Sequence, residues 1–347
     1  MKVLVTGHNG YIGRVMAPLL RDGGHDVVGL DAGLFEGCAL GPDHDEVPGR
    51  RVDLRDVGPE DLEDFDAVVH LAAISNDPLG DLNADCTLAI NHRASVRLAE
   101  LARAAGVERF LFASSCSLYG AADPTTAVTE TAPFNPVTAY GMSKVLVERD
   151  VSALADDRFS PTFLRNATVY GFSPQLRVDL VVNNLVGFAH LTGEVLIMSD
   201  GTPWRPLVHV QDVARTFAAV LDAERDVVHN QAFNVGRDDA NHQIRDVAGI
   251  VADAVPGSRV VYAPEGSADN RCYRVDFAKL HAAFPDLAFE WDVQGGAHEL
   301  LEAYRRYGLT LEEFIGPRFT RLLHIRESMQ AGLLDDELRA PVPAVGS

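Results

Sequence analysis

The chain has 347 residues, 47% of them hydrophobic and 23% charged, a composition for a folded globular protein of one large or two unequal domains. Thirty basic against 50 acidic side chains leave a formal charge of −20, which disfavours nucleic acid or an anionic membrane surface as partner and obliges any anionic small ligand to find a locally basic pocket. The amino terminus carries no leader pattern, no apolar run reaches the roughly 18 residues of a membrane span, and Cys38, Cys86, Cys116 and Cys272 show no paired spacing, so a cytoplasmic protein with reduced thiols and no metal site is expected.

KVLVT (2–6) predicts a strand buried on both faces, and it runs into VTGHNGYIG, Val5 to Gly13, with glycine at 7, 10 and 13. IGRVMAPLLRDGG is apolar at Ile12, Val15, Met16 and Leu19 and closes on glycine, which predicts a helix. DVVGLD (26–31), the stretch around DAVVHLAA (66–73), RFLFASS (109–115) and TFLRNATVYG (162–171) predict further strands, and HRASVRLAELARAAG (92–106) another helix. This alternation predicts an α/β fold, a Rossmann-like doubly wound parallel sheet. After residue 171 connections lengthen and strands such as EVLIM (194–198) and RVVYAPE (259–265) stand alone, which predicts a smaller C-terminal α/β substrate lobe. VHVQDVARTFAAVLDAE (208–224) predicts a strand and helix that rejoin the first layer. The division expected is 1–170 with 207–236 returning to it, 171–315, and a helical tail with a frayed end at 316–347.

In the first strand-to-helix turn, backbone N–H groups can bind a pyrophosphate only if no side chain blocks the approach. Gly7 suits the tight turn, Gly10 the close approach and Gly13 the packing of helix on strand, although the spacing is G-x-x-G-x-x-G and not the commoner G-x-G-x-x-G. The next strand ends in Asp31, at the spacing of a carboxylate that takes the adenosine ribose hydroxyls. A carboxylate there repels a 2′-phosphate, so NAD is favoured over NADP, unless Asp31 only caps a turn. Asp53, in RRVDLRD, resembles the residue that meets the adenine amino group.

TAYGMSKVLVE holds Tyr140 and Lys144, an i,i+4 pair that shares one face of a helix. A phenol of pKa about 10 is a poor base near neutrality, and lowering it by two to three units takes about 3–4 kcal/mol of preferential stabilisation of the phenolate. A neighbouring ammonium supplies part of that. The pair alone recurs by chance, but SSCSLYG places Ser115 and Ser117 on one side of an extended chain at the sheet's C-terminal edge, where ligands of such folds bind. A serine hydroxyl there can share a proton with the substrate oxygen that Tyr140 deprotonates.

TGHNGYIG, the terminal Asp31, VDL, HLAA, SSCSLYG and YGMSK, in this order and spacing, resemble the extended short-chain dehydrogenase/reductases that act on nucleotide sugars, over roughly residues 1 to 305. The resemblance implies Ser115, Tyr140 and Lys144 as the catalytic set. It implies an NAD site made of Gly7, Asn9, Gly10, Tyr11, Ile12 and Gly13, with Asp31, Asp53, Leu54, Leu71, Ala72 and Ala73 beside Tyr140 and Lys144. In the smaller lobe it implies that Asn184, or Asn183 one register away, contacts the diphosphate sugar, with Arg205 and Arg271 near the phosphates and Ser117 near the sugar. Two guanidiniums on a dianion form the basic pocket that the net charge demands. A homodimer through the helices at 92–106 and 140–155 is also implied.

The chain departs from the family's pattern in places. Thr168 stands where the family has the asparagine of R-x-x-N-V-Y-G, Ser199 replaces the first glycine of a G-D-G turn, and the tail from about Ile315 to Arg339 lies beyond the usual family core. Family dehydratases carry Asp-Glu where this chain has Cys116 and Ser117, so the usual proton carriers for 4,6-dehydration are missing. Cys116 is expected to face away from the sugar as an inert buried thiol. Epimerisation of a UDP-, dTDP- or GDP-sugar, by transient oxidation at C4 and hydride return to the opposite face, is the reaction expected. A decarboxylase, dehydrogenase, 4-ketoreductase or dehydratase of the same family is the alternative, and a non-catalytic NAD sensor or scaffold the alternative of another class.

Overall fold

Apolar runs too short for helices and buried on both faces assemble here into one parallel sheet. In the computed structural model, which describes residues 1–41, 47–75, 83–263 and 272–341, the sheet contains β1 (Lys2–Thr6), β2 (Asp26–Asp31), β3 (Gly49–Arg51), β4 (Ala67–His70), β5 (Arg109–Ser115), β6 (Ser160–Asn166) and β10 (Gln231–Val235). Their order is β10-β6-β5-β4-β1-β2-β3, with every neighbouring pair parallel. The strand order reverses direction between β1 and β4, the place where doubly wound sheets open a crevice at their carboxyl ends.

Side chains alternate between two apolar cores, as the period of two in a strand requires. Val3, Val5, Val69, Leu111 and Leu164 face one core with α1 (Gly13–Asp22), and Leu4, Val68, Phe110, Phe112 and Phe163 face the other with α2 (Ser95–Ala105) and α3 (Ala139–Ser152). A third core lies in the smaller lobe, between α4 (Val181–Thr192), α6 (Ile244–Ala254) and α7 (Val293–Arg306), around Val186, Val251, Leu300 and Tyr304. The lobe adds a two-stranded parallel sheet of β8 (Glu194–Ile197) and β12 (Arg259–Tyr262), and a three-stranded sheet in the order β11 (Asn241–Gln243), β9 (Trp204–His209), β7 (Thr168–Tyr170).

Two expected strands are divided differently. TFLRNATVYG is not continuous: it breaks at Ala167, whose N–H donates to Val235 O at 3.0 Å as the last bond towards β10, and the following residues pair with β9 instead, Thr168 against Leu207. The backbone bonds that the main sheet no longer supplies are met in the other lobe. The return at 208–224 is likewise split, because β9 belongs to the small sheet, whereas helix α5 (Val210–Asp222) packs on α1 and its own strand β10 completes the large one. Tyr273, Val275, Phe277 and Leu280 also join the first core. The tail forms helix α8 (Arg321–Gln330) and a turn behind it, whose Ile325 and Leu338 are buried against Ile74, Cys86 and Ile90. Among the described residues no helix is long and apolar enough to cross a membrane.

Candidate active site

A cleft of about 750 Å³ opens at the carboxyl ends of β1, β2, β4 and β5 and runs into the smaller lobe. Its floor is the glycine turn. Gly7 has φ +73°, and a Cβ there would stand 2.8 Å from Ala72 N. A Cβ on Gly13 would stand 2.3 Å from Gly7 O, so helix α1 can start only where it does because both positions lack side chains. Gly10 differs: its Cβ would meet only Gly7 O, at 3.1 Å, so what its missing side chain leaves open is chiefly the approach from the cleft. Helix α1 has no side-chain cap and no acidic residue in its first turn, which leaves its N-terminal amides and positive dipole end for an anion.

Asp31 both caps a turn and lines the cleft. Its Oδ1 accepts from Gly33 N at 2.8 Å and its Oδ2 from Asn9 N at 3.2 Å. A carboxylate has about four acceptor sites, so two remain for ribose hydroxyls. Asp53 is gripped by Arg55, which donates from Nε at 2.9 Å and Nη2 at 2.6 Å. Burial alone would raise the Asp53 carboxyl, but these bonds outweigh it and hold its pKa below the ordinary value.

Gly7, Gly10, Tyr11, Ile12, Gly13, Asp31, Asp53, Leu54, Leu71, Ala72 and Ala73 all line the cleft. Asn9 is not part of that lining, and its backbone N–H donates to Asp31 Oδ2. The Tyr11 hydroxyl is buried and donates to Gly171 O at 2.6 Å, binding the glycine turn to the second lobe.

Ser115, Ser117, Tyr140 and Lys144 share the same cleft. Thr138 caps α3 by accepting from Gly141 N at 3.1 Å, which puts Tyr140 in the helix's first turn. Gly141 lets that turn close on the serine segment, for a Cβ there would lie 3.2 Å from Ser117 O. Lys144, one helical turn on, is buried; its Nζ donates to Ala113 O at 2.7 Å and sits 5.4 Å from the centre of the Tyr140 ring. Burial pushes its pKa down to about 7, with Glu148 opposing.

Ser117 does not continue the strand beside Ser115. Residues Cys116–Tyr119 form a 3-10 turn that Ser115 caps, its Oγ accepting from Ser117 N at 3.1 Å. The Ser117 hydroxyl still reaches the cleft, buried and without a hydrogen-bond partner among the described residues, as is the Oδ1 of Asn166 on β6. Cys116 points inward: it is 1% exposed, its Sγ donates to Arg165 O at 3.1 Å, and burial drives the thiol far above its ordinary pKa. Beneath this segment Glu148 accepts from Ser114 Oγ at 2.5 Å and from Arg165 Nη2 at 2.6 Å, and Arg165 Nη1 donates to Tyr119 OH at 2.9 Å.

On the lobe side, Asn184 and Arg205 line the cleft; Asn184 Nδ2 donates to Val178 O at 2.8 Å and Arg205 Nη1 to Trp204 O at 2.8 Å. Asn183 is instead fully buried, accepting from Gly171 N and donating to Arg177 O, both at 3.0 Å. Arg271 lies outside the described residues. Arg177, Thr138, Arg55, Arg321 and Leu338 line the cleft without having been singled out from the sequence. Asp53 two residues before Arg55, and the start-of-helix position of Thr138, were the local signals available. Nothing local marks Arg177, Arg321 or Leu338. Among the described residues no group of three or more His, Cys, Asp or Glu is placed to hold a metal ion.

The uncapped helix end, the side-chain-free turn and Asp31 fit a dinucleotide, and known proteins agree. Residues 3–236 match the model of the NAD dependent epimerase/dehydratase family. A UDP-glucose 4-epimerase of Corynebacterium glutamicum is 31% identical over 257 residues, covering 69% of this chain and 76% of that protein. Among solved structures, MoeE5 in complex with UDP-glucuronic acid and NAD superposes with a TM-score of 0.76 at 30% identity, over 88% of this chain and 99% of that one. The UDP-glucose 4-epimerase of Thermus thermophilus in complex with NAD does so with a TM-score of 0.74 at 26% identity and the same coverage. The chain therefore belongs to the NAD dependent epimerase/dehydratase family, and its cofactor is NAD.

Proposed function

We propose that this chain is an NAD-dependent nucleotide-sugar epimerase that inverts a sugar carbon, C4, of a UDP-sugar. The observation that carries the reading is the convergence of Ser115, Tyr140 and Lys144 on the cleft that also holds the glycine turn and Asp31. The similar proteins named as UDP-glucose 4-epimerases support it, and the uridine nucleotide is taken from them.

Bound NAD supplies the reversible acceptance of hydride that transient oxidation of a sugar carbon requires. The protein's own residues handle the proton. Tyr140 takes it from the sugar hydroxyl, with the Ser115 hydroxyl sharing the bond, and gives it back when the carbonyl is reduced. The first-turn position of Tyr140 sets its phenolate against the positive end of α3, and the Lys144 ammonium adds a second stabilising charge. Gly7, Gly10 and Gly13 seat the cofactor's pyrophosphate, Asp31 its adenosine ribose, and Asp53 with Arg55 its adenine end. Asn184 and Arg205 take the sugar's diphosphate, and Arg271 remains assigned to it by the family resemblance alone. Dehydration lacks an acid, since Cys116 is turned into the core and Ser117 carries a hydroxyl.

The test is incubation with UDP-, dTDP- and GDP-sugars, followed by product NMR and NADH absorbance. Conversion of a UDP-sugar without added cofactor and without net NADH is expected. Stoichiometric NADH, or a decarboxylated or dehydrated product, would overturn epimerisation, and inertness towards every sugar would favour a sensor. For the assembly we propose a homodimer through α2 and α3, where Met142 is 43% exposed beside partly exposed Val145 and Leu146; sedimentation equilibrium tests it.

A further inference from the structure

One wall of the cleft comes from the tail beyond the family's usual core. Helix α8 and the residues on either side of it lie against residues 34–39, after β2, and against residues 53–56. Arg318 Nη2 donates to Ala39 O at 2.7 Å, and His324 Nδ1 lies 3.3 Å from Cys38 Sγ. Farther along, Asn83 Nδ2 donates to Asp336 O at 3.0 Å and Arg55 Nη1 to Glu337 O at 2.9 Å. Arg339 Nη1 stands 2.6 Å from Asp56 and 3.9 Å from Asp53, the carboxylate at the cofactor's adenine end. Leu34 and Phe35, just after Asp31, pack on the same apolar cluster as Ile325 and Leu338.

Two side chains of this segment reach the cleft, Arg321 and Leu338. The Arg321 guanidinium lies 4.3 Å from the centre of the Phe35 ring, and its Nε and Nη2 are buried without a hydrogen-bond partner among the described residues. Guanidinium nitrogens inside proteins are nearly always paired, because leaving them unpaired forfeits their hydration. Burial and the nearby Arg177 charge draw the Arg321 pKa down to about 9, with Asp179, Cys38 and Asp31 opposing. A cation held this way, in the cleft where α1 presents uncapped amides, is complementary to a bound dianion. Two dianions enter the cleft, that of NAD and that of the sugar nucleotide. Arg321 rests on the loop directly after Asp31, whereas Asn184 and Arg205 stand on the other lobe, so NAD is its partner.

We propose that Arg321–Arg339 is a clasp on the dinucleotide, in which Arg321 binds the NAD pyrophosphate and Leu338 covers the adenosine end. The clasp rests on the assignment of this cleft to NAD. It gives a physical basis for a cofactor that stays bound through each turnover, since NAD leaves only after the tail unclips.

The test measures exchange of bound NAD for isotope-labelled NAD in the full-length protein, with thermal unfolding of the cofactor-free form and calorimetric UDP affinity alongside. Arg321→Met is expected to speed exchange by ~10- to 100-fold, Arg321→Lys less, and Arg339→Ala, at the exposed end of the clasp, by a few fold. Because Arg321→Met removes an unpaired buried charge, its cofactor-free form is expected to unfold at no lower temperature than wild type; a purely structural role would lower it. Exchange at the wild-type rate in both Arg321→Met and Arg339→Ala overturns the clasp, as does a loss confined to UDP affinity. A wild-type protein that takes up no NAD would remove the cofactor site itself and the clasp with it, which separates the two failures.

Discussion

Lys144 shows how a single side chain is held at a cost to the fold. Its folded pKa is about 7 against an ordinary 10.5, and burial is the main cause. Below about pH 7 the folded and unfolded states are both protonated and the penalty for burying the ammonium is fully present. Between about pH 7 and the ordinary lysine value the unfolded state holds more protons, so this group's contribution to stability rises with pH. Lys144→Met is therefore expected to be more stable than wild type at about pH 6, by up to a few kcal/mol, because each tenfold change in proton affinity is worth about 1.4 kcal/mol. That advantage is expected to shrink by about pH 9, with turnover lost throughout. Thermal unfolding at the two pH values checks it, and a difference that grows with pH would contradict the buried-ammonium account. The glycines are the opposite case, legible from sequence because their function is the absence of a side chain. Spacing alone assigned separate tasks to Gly7, Gly10 and Gly13, and the close contacts at Gly7 and Gly13 fit a turn and a helix packing that exclude a Cβ.

At the scale of elements, the segment proposed as catalytic stands on a buried ion pair. Glu148 of α3 and Arg165 of β6 meet at 2.6 Å, with both side chains almost wholly out of solvent. Through Ser114 and Tyr119 they join the helix that carries Tyr140 to the strand end that carries Ser115. Glu148→Ala strands the Arg165 charge and is expected to destabilise by about 3–5 kcal/mol, read as a lower urea midpoint at an unchanged slope, with Glu148→Gln milder. Equal stability in both variants would show that the pair is replaceable. The existence of β1, β2, β4, β5 and α1 was evident from apolar runs and helical period. The break at Ala167 and the 3-10 turn at Cys116 were not, because both are set by which strand supplies the next hydrogen-bond partner. RNATVYG reads as one strand until β9 is present to compete for its second half.

Across the whole molecule, the two lobes are tied at the glycine turn. The Tyr11 hydroxyl donates to Gly171 O at 2.6 Å and receives Asn183 Nδ2 at 3.3 Å, and Tyr304 OH reaches Asn183 O at 3.2 Å. Tyr11→Phe is expected to cost about 1–2 kcal/mol, seen as a lower unfolding temperature, while NAD occupancy is retained. Lost NAD occupancy at unchanged stability would instead return that hydroxyl to the cofactor. The same scale decides the fate of the tail, whose amphipathic period predicts a helix but not what the helix covers.

From the sequence alone the family, the cofactor and most of the candidate site could be read, because a pyrophosphate turn, a ribose carboxylate and a Tyr-x-x-x-Lys pair are local devices whose spacing is their mechanism. Only the tertiary structure decided that Tyr11 bonds across lobes, that Asn183 turns inward while Asn184 faces the cleft, and that Arg321 and Leu338 arrive there from the far end of the chain. Those placements rest on contacts between residues as much as 286 apart in sequence, for which no local period or motif exists; they are chosen by packing and by the pairing of buried polar groups once the two lobes have closed on each other.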